Sequence, residues 1–230
     1  MNLLEPLVMK KLTILGTTGS GKTTFLEALF GNIDKNDVAR RIFREIGNNL
    51  DFTPLKYNNF TSSTTTISLN VVNSVLILTR FNKVILKKYD QVETYDYESI
   101  DSAFQVIFND PAGQERFDFM QEIALKGSDL VIIMADGTNI SSLEKILHYL
   151  EMVQMEEVRK QRNIPVLIFI NKSDLRDKGV YLGKEVAERV VFSSIIDREL
   201  VFYETSNLDA NCYELPLTII FNYLAMQAYS

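Results

Sequence analysis

Three short stretches of this chain carry the residue types that handle phosphate and purine chemistry. The first, Gly16-Thr17-Thr18-Gly19-Ser20-Gly21-Lys22-Thr23, fits the pattern G-x-x-x-x-G-K-[ST], and Thr24 follows it. Glycines in such a run let backbone N–H groups turn inward around phosphate oxygens, while the helix behind adds the positive end of its dipole. Lys22 supplies a flexible point charge for β- and γ-phosphate oxygens, and Thr23 supplies a hydroxyl for Mg²⁺. The chance alternative, a glycine-rich turn at a helix start, arises on the order of once in a hundred chains of this length. Alone, the pattern specifies a nucleoside triphosphate and leaves the base open.

The second stretch is Asp110-Pro-Ala-Gly113-Gln114-Glu115. Here Asp110 would hold Mg²⁺, the Gly113 N–H would sense a γ-phosphate, and the Gln114 amide would orient an attacking water. Taken alone, the segment also reads as an Asp-Pro turn before a helix. The third stretch is Asn171-Lys172-Ser173-Asp174. A carboxylate accepts two hydrogen bonds from guanine, N1–H and the 2-amino group, and adenine offers no such donor pair. Asp174 is assigned that contact. Asn171 would brace the phosphate loop and the base, and the Lys172 stem would lie along the ring face.

All three stretches follow short apolar runs, as expected if the carboxyl ends of parallel strands deliver them to one edge of a sheet. Strands are expected at Lys10–Leu15, Phe104–Phe108, Leu130–Ala135, Val166–Ile170 and Val201–Tyr203. Helices are expected at Lys22–Phe30, Glu115–Lys126, Ser141–Arg162, Lys184–Phe192 and Glu214–Gln227. This alternation defines an α/β chain with a mainly parallel central sheet flanked by helices. Two segments interrupt it. Val38, Ile42, Phe43 and Ile46 fall at helical spacing and predict an added helix. Val75–Phe81 and Val84–Tyr89, separated by Asn82-Lys83, predict a β-hairpin, with the acidic Asp90–Asp101 stretch as a solvated loop. With no repeat and no linker of Gly/Ser or Pro, the expectation is a single domain over 1–230, with insertions at about 33–59 and 72–103.

GTTGSGKT, DPAGQERF, NKSD and Glu204-Thr-Ser206 stand in the order of the Ras-like small GTPases, a superfamily of P-loop NTPases that most of the chain resembles. The stretch DPAGQERFDFMQEIALKGSDLVIIMADGTN is most similar to its prokaryotic, especially archaeal, branch near Rab- and Arf-type proteins. The resemblance implies a Ras-like G domain that binds GTP or GDP with Mg²⁺ and hydrolyses GTP slowly. Effector, exchange and activating proteins would be its partners. A switch threonine is implied before the second strand: Thr66 matches best and Thr65 is the alternative, a threonine-rich strand edge being the plainer reading. That residue would join Lys22 and Gln114 in catalysis, and Thr23 and Asp110 at the metal. Ser206 and Asn207 stand where the family pattern contacts the guanine O6 through the backbone. Thr18 occupies a position that is glycine in some relatives, where a partner's arginine finger approaches. A nucleotide-stabilised scaffold with little hydrolysis is the competing reading, which the intact Gln114 disfavours.

Composition narrows the partners. The formal net charge of −6 opposes nucleic acid as the main partner. Cys212 is the one cysteine, so neither an internal disulfide nor a cysteine metal cluster is available, which fits a reducing, cytoplasmic setting. No run of about 20 apolar residues predicts a membrane span. No prenylation cysteine or myristoylation glycine is visible either, so lipid attachment is not expected. His148 is read as a surface or packing residue, Arg116 as an ion-pair residue, and Phe117, Phe119 and Met120 as an apolar helix face.

Overall fold

The computed structural model describes residues 8–30, 50–52, 70–79, 84–88, 100–113, 118–193 and 198–209, and positions 212, 216, 219, 220, 223 and 224. Its strands are β1 (Met9–Leu15), β2 (Leu50–Phe52), β3 (Asn70–Thr79), β4 (Val84–Lys88), β5 (Ile100–Asp110), β6 (Leu130–Asp136), β7 (Val166–Asn171) and β8 (Val201–Glu204). Its helices are α1 (Lys22–Phe30), α2 (Asp118–Leu125), α3 (Ile140–Lys160) and α4 (Lys184–Phe192), with a 3₁₀ helix over Ser173–Lys178. The predicted helix within 33–59 lies outside the described residues.

The strands form one sheet in the order β2-β4-β3-β5-β1-β6-β7-β8. From β5 through β1, β6 and β7 to β8 every neighbouring pair is parallel. Their carboxyl ends therefore share one edge, where ligands bind in open α/β sheets. The β6 and β7 sequences, LVIIMAD and VLIFIN, are buried along their whole length. Continuous apolar runs of this kind belong to strands covered on both faces.

Layering follows from side-chain alternation. Leu15, Val131, Ile133, Ile168 and Ile170 join Ile146, Tyr149 and Val153 of α3 and Ala187 and Val191 of α4 in one buried cluster. Phe169 points the other way, and Phe25 of α1 meets its ring edge-on at 5.9 Å. Thus α1 covers one face, and α3 with α4 covers the other. Ile220 and Leu224, four residues apart at helical positions, are also buried.

The predicted hairpin is present as the antiparallel pair β3 and β4. β3 also runs antiparallel along β5 from Asn70 opposite Asp110 to Thr79 opposite Ile100, so the hairpin extends the main sheet. Ile100 and Asp101, expected in the acidic loop, belong to β5, and 89–99 lies outside the described residues. α3 stops at Lys160 instead of Arg162. Gln161 turns left-handed, its N–H donates to Glu157 O and Val158 O, and Arg162 is free to bind Ser128 O and Asp129 instead. The expected apolar face at Phe119 is displaced: α2 buries Gln121, Ala124 and Leu125, whose helical spacing turns Phe119 outward, 56% exposed.

Candidate nucleotide site

The phosphate loop links the end of β1 to the start of α1. α1 has no acidic residue in its first turn, so the positive end of its dipole stays available to an anion. Inside the loop, Lys22 is buried to 5% exposure, and its ammonium donates to Gly16 O at 2.7 Å and Thr17 O at 3.0 Å. Burial pushes its pKa down to about 8, and the neighbouring Asp110 charge only partly offsets this. A lysine held this way is a cation in want of an anion. Thr18 and Gly19 are exposed, and Ser20 is fully buried. Thr24, on the third residue of α1, is exposed.

The carboxyl end of β5 meets this loop directly. Thr23 Oγ1 donates to Asp110 Oδ2 at 2.9 Å. A hydroxyl beside one carboxylate is a hard-oxygen set that fits Mg²⁺, which takes few protein ligands and completes its shell with phosphate oxygens and water. Gly113 O accepts from Thr18 N at 3.0 Å. A Cβ on Gly113 would stand 2.5 Å from Lys22 Nζ and 2.6 Å from Gly16 O, so this approach requires glycine. Gln114, Thr65 and Thr66 lie outside the described residues.

The base end is built on β7 and the segment after β8. Asn171 Nδ2 donates to Ser20 O at 2.8 Å, and Asn207 Nδ2 donates to Gly21 O at 3.0 Å. The two carboxamides crowd Gly21, which sits at φ +102° and where a Cβ would come within 2.2 Å of Asn171 Nδ2 and 2.6 Å of Asn207 Nδ2. Asn171 therefore braces the phosphate loop as the sequence predicts. Asn207 does so through its side chain, a role the sequence did not reveal. Ser206 Oγ donates to Asp174 Oδ1 at 2.5 Å, fixing the carboxylate expected to read guanine. The Ser206 N–H donates to Cys212 Sγ at 3.1 Å, and the thiol donates to Asp209 O at 2.8 Å. Burial pushes that thiol up to about 11, which keeps it protonated.

Other residues complete the rim without having been singled out from the sequence. Lys172, in left-handed conformation at φ 71°, places its ammonium 2.5 Å from Asp136 Oδ2. Burial opposes the Asp136 charge, but hydrogen bonds from Lys172 and Thr138 outweigh it and hold this carboxyl below its ordinary range. Glu204 binds Arg176 of the 3₁₀ helix and accepts from Lys184 N at 3.0 Å, while Tyr181 Oη donates to Ile170 O at 3.1 Å. Asp136 could have been found: Asp-Gly-Thr directly follows a strand, which marks it for the same edge. His148 lies 3.6 Å from Asp118 and tilts against Tyr149, a packing role as expected.

A glycine loop leading into a helix at the carboxyl edge of a parallel sheet, with asparagines clamping that loop to a second strand end, defines a P-loop α/β fold. A sequence model of the Ras family matches residues 79–224, more than half of the chain, and the chain belongs to that family. The match takes in Asp110–Gln114, Asn171–Asp174 and Glu204–Ser206, and the phosphate loop lies ahead of it. Over 112 residues, 48% of this chain and 68% of the relative, the chain is 32% identical to an uncharacterized protein of Methanocaldococcus jannaschii. Over 106 residues, 46% of this chain, it is 27% identical to the Ras-related protein Rab-7b of Mus musculus, of which it spans 50%. Among the described residues no helix is long and apolar enough to cross a membrane.

Proposed function

We propose that this chain is a cytoplasmic switch that binds GTP with Mg²⁺, hydrolyses it slowly to GDP and phosphate, and regulates a protein partner. One observation carries this reading. Asn171 and Asn207, from two different loops, hold the carbonyls of Ser20 and Gly21, so the phosphate cradle and the guanine-reading carboxylate of Asp174 form one rigid unit. Such a unit fits a ligand with phosphates at one end and a purine at the other.

In this reading Gly16–Gly21 present amides to the phosphates, Lys22 balances their charge, and Asp174 accepts from the guanine N1–H and 2-amino group. Ser206 and Asn207 close the base side. Thr23, Asp110 and Thr66 would hold Mg²⁺, whose chemistry is to neutralise charge developing on the phosphate oxygens. Gly113 and Thr66 would detect the γ-phosphate, and Gln114 would orient water for in-line attack. Catalysis on this plan is positioning and charge stabilisation, without a covalent intermediate. Residues 1–230 act as one unit with insertions at about 33–59 and 72–103, and the β3–β4 hairpin offers a surface for partner proteins.

Single-turnover hydrolysis of GTP by the purified chain tests the enzyme claim. Magnesium-dependent phosphate release, abolished in Gln114→Leu while GTP stays bound, is the expected result. GTP binding with no cleavage above background, with or without candidate partners, would instead establish a nucleotide-stabilised scaffold.

A further inference from the structure

The phosphate loop is held from a direction that the sequence motifs do not announce. Thr17 Oγ1 lies 2.7 Å from Ser142 Oγ, in the first turn of α3. Ser142 is 4% exposed, and its hydroxyl also accepts the backbone N–H of Asp136 at 2.9 Å. Asp136 in turn binds Lys172 through Oδ2, and its Oδ1 accepts from Thr138 N at 2.9 Å and Thr138 Oγ1 at 2.7 Å. β6 and β7 are in register at this level, Asp136 opposite Asn171, and Gly137 N donates to Asn171 O at 2.9 Å. Asp136 thus faces the phosphate side with its amide and the base side with its carboxylate.

The two halves of the loop are held differently. Ser20 and Gly21 are gripped by the asparagines of the base end. Gly16 and Thr17 are held from within by Lys22 and from outside by Ser142. A buried hydroxyl pair on a loop whose amides must all point inward restricts that loop's motion, and the rate at which a cradle opens sets how long its ligand stays. Ser142 lies at the start of α3, so displacement of this helix end would reach the phosphate loop through Thr17 alone among the loop side chains described.

We propose that Ser142 is a positioning residue that clamps the phosphate loop through Thr17 to the strand end holding Lys172, and that this clamp sets the rate of nucleotide release. The inference rests on the guanine-nucleotide reading above and adds to it a control point on the α3 side.

The test is stopped-flow release of a fluorescent GDP analogue from the full chain with Mg²⁺, for wild type, Ser142→Ala, Thr17→Val, their double variant and Ser142→Thr. Loss of one hydrogen bond predicts about fivefold faster release in each of the first two. The double variant should be no faster than the faster single, because both remove the same contact. Ser142→Thr keeps the hydroxyl and should stay within about twofold of wild type. Melting temperatures of the ligand-free variants should not rank in the order of their release rates. Wild-type release rates in both single variants, or effects that multiply in the double, would overturn the clamp while leaving the nucleotide reading intact. Failure of the wild type to bind the analogue would overturn both.

Discussion

Asp174 and Asp136 are both carboxylates at the site rim, yet their surroundings assign them different work. Asp174 is held at one oxygen by the Ser206 hydroxyl, which leaves it able to accept from a base. Asp174→Asn removes the double acceptor that guanine requires and places a donor against a donor. GTP affinity should fall at least about 100-fold while ATP affinity stays low and unchanged, as competition binding would read. Equal losses for GTP and ATP would show that Asp174 does not read the base. Asp136 is instead committed to Lys172 and Thr138. Its pKa in the folded chain lies below the ordinary value, so its stabilising effect is complete above about pH 4 and is lost as pH falls through the depressed value. Asp136→Asn should therefore lower the melting temperature by about 2–4 °C near neutral pH. That gap should narrow below pH 4, and a gap constant across pH would contradict the assignment.

At the scale of elements, the sequence was legible wherever apolar runs were continuous and flanked by turn residues. β6, β7, α1 and α4 fall within a residue of their expected limits, because wholly buried strands and short capped helices leave little freedom in where they begin and end. Phe119 shows the opposite case: its apolar character suggested burial, but tertiary packing chose the phase set by Gln121, Ala124 and Leu125. The side-chain grip of Asn207 on Gly21 and the hold of Ser142 on Thr17 were illegible for another reason. Each bond joins residues far apart in sequence, and neither belongs to a motif with a fixed spacing. β5 likewise begins earlier than its apolar run because β3 pairs with it along its length, a non-local fact. The core beneath α3 gives a stability prediction at this scale. Ile146 is fully buried in the cluster between α3 and the sheet, so Ile146→Ala should destabilise the chain by about 2–5 kcal/mol in denaturant unfolding. A loss below about 0.5 kcal/mol would mean that α3 does not pack as described.

Across the whole molecule, three strand ends and two intervening loops converge on the carboxyl edge of the sheet, and side chains rather than chain proximity lock them together. β5 brings Asp110 to Thr23, β7 brings Asn171 to Ser20, and the segment after β8 brings Asn207 to Gly21. The edge beyond β3 carries β4 and β2 in addition, which places the inserted chain on the opposite side of the sheet from the base-reading strands. Changes in that insertion should therefore alter partner binding without altering base preference. Replacing 80–83 by a two-residue Asn-Gly turn and measuring GTP over ATP preference checks this, with an unchanged ratio as the expected result.

The most direct measurement is the identity and amount of nucleotide that the full chain retains through purification, read by chromatography of the denatured protein. The account predicts a guanosine di- or triphosphate at close to one per chain, lost when Mg²⁺ is chelated. An adenine nucleotide in that position, or an empty protein that shows no heat on titration with GTP and Mg²⁺, would contradict it.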